Sequence, residues 1–171
     1  MEPLYAYRIV TLRDHLAGTS VRWHQRAVVR KWGDIDNVDA PFLVSVLSPT
    51  DPDETASRLA ARVALESNDA GHVVNLRVVA FVNDEHQTAI QDVEVRLDFD
   101  RDDPPTDDEL ADLLSGWGTE VAIGYIRGAL ADASSSVGLP ALVLDPLYEF
   151  EEGEVEMTIA QARAREGADG R

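Results

Sequence analysis

The chain has 171 residues, which fits one ordinary domain and leaves too little sequence for two. Apolar residues make up 44% and charged residues 27%, so the chain can bury a core and lacks the composition of a disordered protein. Its 15 Lys and Arg against 32 Asp and Glu give a formal net charge of −17. That charge disfavours general nucleic-acid binding, because the phosphate backbone is also negative.

The chain contains no cysteine, which removes disulfides, thiolate nucleophiles and Cys-type zinc sites together. Residues 1–5 are not a basic segment leading into an apolar one, so no signal peptide is predicted. No run approaches the roughly 18 apolar residues that would span a membrane. We therefore expect a cytoplasmic protein without a membrane partner.

The first 66 residues give the weakest pattern. Residues 7–13 and 42–47 are predicted strands, and the Gly-containing segments 18–20 and 33–37 are predicted turns. Residues 51–66 start like a helix, yet most of the segment alternates between apolar and polar positions. We favour a strand there over a helix.

The middle of the chain predicts a turn at 67–71, a strand at 73–82, a second turn at 83–86 and a further strand at 92–100. The second strand alternates most clearly, with charged residues on one face. Its apolar face consists of Val93, Val95, Leu97 and Phe99. Such a strand is typical of an antiparallel sheet that is covered on one side only.

A helix is predicted after two prolines, because Thr106 and Glu109 have the spacing of a capping box. The helix extends to about Ala133 or breaks at Gly116 and Gly118. Apolar residues recur at helical spacing along it: Leu110, Leu113, Leu114, Trp117, Val121, Ile123, Ile126 and Leu130.

Glycines also occur further along this helix, where each costs roughly 0.5–1 kcal/mol relative to alanine. Gly124 and Gly128 are four residues apart and therefore lie on one face. Either the helix is locally loose at these positions, or another helix or strand approaches it closely there.

No pattern indicates an enzyme. The four histidines have no metal-ligand spacing, and neither a nucleophile elbow nor a phosphate-binding loop is present. A metal-dependent hydrolase that uses the acidic residues within 98–108 is the enzymatic alternative, although an acidic loop leading into a helix is the commoner meaning of such a cluster. We expect no cofactor and no bound metal.

Several segments resemble the SecB-like chaperone family, most closely the members encoded beside toxin–antitoxin pairs. The resemblance covers about residues 72–150. Its motifs are Thr106-Asp-Asp-Glu-Leu110, then Trp117, then Ala122-Ile-Gly-Tyr-Ile-Arg127, and then Gly138-Leu-Pro-Ala-Leu-Val-Leu144. The family has an aromatic residue and a proline where this chain has Ile123 and Gly124, so here the helix is either straighter or bent at glycine.

The resemblance implies an α+β fold: a four-stranded antiparallel sheet with a long helix and a shorter C-terminal helix packed on one side. It places one SecB-like domain at residues 1–150, followed by an acidic, weakly helical tail at 151–171. It also implies a homodimer or homotetramer that binds unfolded or partly folded polypeptides without ATP, with an antitoxin or another unstable protein as a dedicated client. The alternative is a non-catalytic interaction or regulatory subunit that binds one folded partner.

The resemblance further suggests two sets of contacts. Export-type members dock the SecA motor through acidic residues on the outer sheet face, where Asp92 and Glu94 are predicted to lie exposed. Client contacts are sought among the large apolar residues of the helix and the segment after it, and each of these has an ordinary core position as its alternative. They are Trp117, Tyr125, Leu142, Leu144, Tyr148 and Phe150.

Overall fold

The computed structural model describes residues 11–30, 56–68, 71–84, 86–136, 138–142, 144, 150 and 153–169. A short 3-10 helix, Leu12–His15, precedes four strands: β1 (Leu16–Arg30), β2 (Ala56–Asn68), β3 (Gly71–Asn83) and β4 (Gln87–Phe99). Three α-helices follow: α1 (Asp107–Ser115), α2 (Trp117–Ser136) and α3 (Glu154–Asp169). The predicted α+β class is confirmed.

The strands form one antiparallel sheet in the order β1-β4-β3-β2, so β1 and β2 are its edges. Of the strand predicted at 51–66, the described residues 56–66 lie in β2, and the strands predicted at 73–82 and 92–100 lie in β3 and in β4, which ends at Phe99. The turn predicted at 83–86 is also present, where the Asp84 carboxylate accepts hydrogen bonds from the backbone N–H groups of His86 and Gln87. Alternation was therefore a sufficient signal for these three strands.

All three helices pack on one face of the sheet. The long helix α2 contacts β4, β3 and β1, whereas α3 contacts β2 and α1. The apolar face of β4 is fully buried beneath them, as its alternation predicted. Residues of this core that lie on β3 and β4 are Val74, Leu76, Val78, Ala80, Val82, Ala89, Val93, Val95, Leu97 and Phe99.

The predicted helix is divided into α1 and α2 at Gly116. It begins as expected: the Thr106 N–H donates to the Glu109 carboxylate at 2.8 Å, and the Glu109 N–H donates to the Thr106 hydroxyl at 3.3 Å. Gly118 follows the break in a crowded position, because a Cβ there would lie 2.8 Å from the Leu113 carbonyl oxygen. The helix α2 continues past the predicted end at Ala133 to Ser136.

The N-terminal predictions are wrong where they can be compared. Residues 12 and 13, expected in a strand, belong to the 3-10 helix, and the turn predicted at 18–20 lies inside β1. Pairing with β4 outweighs the turn preference of these residues, with a register shift between Leu16 and Gly18. The predicted elements at 33–37 and 42–47 lie outside the described residues.

The C-terminal helix α3 packs on the core. Ile159 and Ala162 are buried in the same apolar cluster as the sheet residues, and Arg163 donates to the carboxylate of Asp107 and the carbonyl of Pro105. Residues beyond 150 therefore contribute to the packed fold, and the boundary predicted at 150 stays a prediction. Among the described helices, none has the length and hydropathy needed to cross a membrane.

Candidate functional site

One side of α2 has no other described residue packed closely on its glycines. Tyr125 is 46% exposed, and ideal Cβ atoms at Gly124 and Gly128 would meet nothing within 4 Å. Val121, one turn before Tyr125, is partly exposed and also packs against the apolar core. We call these four residues, Val121, Gly124, Tyr125 and Gly128, the open face of α2. It combines apolar side chains with glycines that let another chain approach the helix backbone.

Trp117 lies one turn before Val121, where α2 begins. Its side chain is partly buried and packs against the core, and the Arg13 guanidinium lies 5.9 Å from its ring centroid. The indole N–H is buried and has no hydrogen-bond partner among the described residues. Trp117 therefore borders the open face and also packs against the core.

The leucines predicted as client contacts lie inside the protein. Leu142 is buried and Leu144 is only 3% exposed, and both belong to the main apolar cluster. The Leu142 N–H donates to the buried Ser134 hydroxyl, which ties this segment to the end of α2. The alternative reading as core therefore fits these two residues, because neither side chain is accessible in this conformation.

The two aromatic candidates that follow these leucines are Tyr148 and Phe150. Phe150 is partly buried. Tyr148 lies outside the described residues. Of the six predicted client contacts, Tyr125 alone is shown to be exposed.

Asp92 and Glu94 lie where predicted, on the outer face of the sheet, which is the face opposite the helices. The prediction that both are exposed is wrong for Asp92, which is only 7% exposed. Arg77 of β3 donates to its carboxylate from Nε at 2.8 Å and from Nη2 at 2.6 Å. This bond raises the pKa of Arg77 above its ordinary value; burial opposes the rise, and the charges of Asp92 and Glu94 add to it. Because both oxygens of this carboxylate already accept hydrogen bonds from Arg77, Asp92 is a poor contact for a docking partner.

Glu94 is more accessible than Asp92, but it also has a partner. Its carboxylate lies 3.2 Å from Nε2 of His24, which is at the register shift between Trp23 and Gln25 in β1. The docking role predicted for this carboxylate pair stays a prediction, and only Glu94 retains the exposure that it requires.

Two members of the acidic cluster considered for a metal, Asp98 and Asp107, form ion pairs. Asp98 pairs with Arg96 at 3.0 Å and Asp107 with Arg163 at 3.1 Å. Within the described part of the chain, no three His, Asp or Glu side chains are grouped as metal ligands. The first ion pair joins two residues of β4 on the outer face, and the second joins the start of α1 to α3.

Comparison with solved structures finds chains that are similar to this one. The structure search matches the Mycobacterium tuberculosis Rv1957 SecB-like chaperone in complex with a ChAD peptide from the Rv1956 HigA1 antitoxin. The chain is similar to this SecB-like chaperone. The TM-score is 0.46 at 17% sequence identity, over 77% of this chain and 90% of the other. Comparisons with protein-family models and with curated proteins give no match.

Two residues of the outer face could not be singled out from the sequence. Arg77 is one arginine among 14, and His24 has no recognisable ligand spacing. The pairing of the strands decides which groups these two residues contact. It sets Arg77 of β3 opposite Glu94 of β4, and His24 of β1 lies beside the Glu94 carboxylate. A known pairing of β3 with β4 would have shown that the outer face mixes both signs of charge.

Proposed function

We propose that the chain is an ATP-independent chaperone of the cytoplasm that binds non-native polypeptide segments at the open face of α2. The observation that carries this proposal is Tyr125, a large side chain held 46% exposed on the long helix between two unobstructed glycines. An extended apolar segment that covers Tyr125 and Val121 gains roughly 25 cal/mol per Å² of buried apolar surface, before ordering costs.

The charge of the chain supports the same function. A holdase needs apolar surface for its client and a charged surround that keeps the complex in solution. The formal charge of −17 supplies that surround, and assembly into an oligomer would multiply it. The motifs in residues 106–144 that resemble toxin–antitoxin-associated chaperones support a dedicated client such as an antitoxin.

We expect Tyr125→Ser to abolish most of the protection of a denatured client from aggregation, because it removes the exposed aromatic of the open face. Stability should change by less than about 0.5 kcal/mol, as for other surface substitutions. The measurement is light scattering of a diluted, denatured client with each variant present. Met157→Ser is the matched control, since Met157 is 55% exposed but lies on α3.

The proposal fails if the two substitutions reduce client protection equally, or if neither does. Moderate salt should change client binding little and the heat-capacity change should be negative, because the contact is apolar. Strong weakening by salt would instead indicate an electrostatic contact elsewhere on the surface.

We also propose a homodimer or homotetramer assembled through the glycines of the open face. At about 100° per residue, Gly124 and Gly128 are about 40° apart around the helix, whereas Tyr125 lies about 100° from Gly124 and about 60° from Gly128. The glycines are therefore placed to take a helix of a second copy, and Tyr125 to line the edge of that contact. An isolated surface helix has no reason to keep both glycines, each of which costs helix stability.

Gly124→Leu should reduce the molar mass measured by light scattering at micromolar concentration, because the new side chain projects into the proposed contact. Gly124→Ala is the matched control: it adds helix propensity of about 0.5–1 kcal/mol with minimal bulk. A mass that stays unchanged in the leucine variant, or a wild-type monomer, rejects this interface. Tyr125→Ser should leave the mass unchanged, which separates client binding from assembly.

One observation favours the alternative, an interaction subunit for a single folded partner. Among the described residues, Tyr125 and Met157 are the only large apolar side chains that are well exposed, which is little surface for many unrelated clients. Several unrelated denatured proteins should be tested alongside folded candidate partners. Protection of none of the denatured proteins, with tight binding of one folded protein, establishes the alternative.

A further inference from the structure

A row of charged residues crosses the outer face of the sheet. The strand register aligns Arg22 of β1 with Glu94 of β4, Glu94 with Arg77 of β3, and Arg77 with Arg62 of β2. Three of these four residues are arginines, and Arg62 lies directly opposite Arg77. Like charges opposite each other destabilise a sheet unless an anion lies between them or near them.

The outer face differs in charge from the rest of the chain, which carries a formal charge of −17. Its described charged residues are five arginines and four carboxylates: Arg22, Arg58, Arg62, Arg77, Arg96, Glu66, Asp92, Glu94 and Asp98. This surface is therefore slightly positive on a strongly acidic protein.

Every carboxylate of the outer face already has a partner. Asp92 binds Arg77, Glu94 lies beside His24, and Arg96 takes both Asp98 at 3.0 Å and Glu66 at 3.5 Å. In contrast, Arg22 and Arg62 are exposed, and neither forms an ion pair within the described part of the chain. Two cations at opposite edges of the sheet thus have no anionic partner among the residues that the structure describes.

The spacing of these two arginines fits one kind of ligand. Three inter-strand gaps of about 4.8 Å separate β1 from β2, so their backbones are roughly 14 Å apart. In an extended polypeptide, residues i and i+4 lie on the same side and about 13 Å apart. Carboxylates at those two positions would reach Arg22 and Arg62 together, and the residue at i+2 would lie between Glu94 and Arg77.

We propose that the outer face of the sheet docks an extended, carboxylate-rich segment of a partner protein, held at its ends by Arg22 and Arg62. A short segment of this kind stays within the positive row, and the acidic surface beyond is screened over about 10 Å at 0.1 M salt. A nucleic acid carries its charge along a continuous backbone that extends onto the acidic surroundings, so it fits this face less well.

The test uses the whole chain and a fluorescent five-residue peptide with glutamate at its first, third and fifth positions, which spans about 13 Å when extended. Binding is followed by fluorescence anisotropy at 0.05 M salt. The double substitution Arg22→Glu/Arg62→Glu should weaken the affinity by about tenfold or more, with an unchanged melting temperature. Arg165→Glu is the matched control, because Arg165 is an exposed arginine on α3.

Glu94→Gln gives an independent result, since it removes the carboxylate at the centre of the row. It should strengthen binding of the glutamate peptide, whereas docking of a basic partner by Glu94 requires that the same change weaken binding of a lysine peptide. The inference is overturned if the lysine peptide binds the wild-type chain more tightly than the glutamate peptide. It is equally overturned if Arg165→Glu has the effect of the double substitution, or if single-stranded DNA of equal length binds more tightly.

Discussion

Replacing Leu144 with alanine is expected to lower the free energy of unfolding by about 2–5 kcal/mol, the range for losing a large aliphatic side chain from a core. Leu144 is 3% exposed and belongs to the cluster that joins the helices to β3 and β4. The substitution removes three side-chain carbons and leaves a cavity that the surrounding sheet and helices can close only in part. Urea denaturation followed by circular dichroism measures the change.

Met157→Ala is the control for this prediction, because it shortens an apolar side chain that is 55% exposed. Its effect should stay within about 0.5 kcal/mol. The opposite result is equally informative: a Leu144→Ala variant of unchanged stability that no longer protects a client would restore the predicted contact role. In that case the segment around Leu144 must open to expose the side chain when a client binds.

The strands show how far periodicity reaches. In β4 the charged and apolar positions alternate without exception from Asp92 to Phe99, so the buried face was evident. In β1 the residues Gly18, Thr19 and Ser20 favour a turn when they are read locally. They form a strand because β4 supplies hydrogen-bonding partners over most of its length, and such pairing between distant segments is not written in the local sequence.

The candidate site shows the complementary limit. A sequence identifies Tyr125 as a large residue on a helix, but its exposure depends on what packs beside that helix. Leu142 and Leu144 belong to the same motif resemblance and are buried, because the segment after α2 folds back onto the core and is tied to Ser134. Composition and spacing did not distinguish the exposed Tyr125 from the buried leucines. To tell which charges of the outer face are paired, the register of the strands had to be known.

The least compensated group of the core is the amide of Gln91. It lies on the helix-facing side of β4, between the apolar residues Ala89 and Val93 of the same face, and it is 0% exposed. Neither its amide nitrogen nor its amide oxygen has a hydrogen-bond partner among the described residues. A buried donor or acceptor without a partner costs about 1–3 kcal/mol, so this side chain lowers the stability of the fold.

Replacing Gln91 with methionine is therefore expected to stabilise the protein by about 1–3 kcal/mol, because methionine is also unbranched and fills similar space without the amide. The melting temperature should rise by about 2–4 °C per kcal/mol in a chain of this size. Gln87→Met is the matched control on the same strand. The Gln87 amide nitrogen donates to the Pro140 carbonyl at 2.9 Å, so its loss leaves that carbonyl unpaired and should gain less or destabilise. If Gln91→Met destabilises the chain as much as Gln87→Met, the Gln91 amide has a stabilising contact in solution, and an unpaired core amide is not what limits stability.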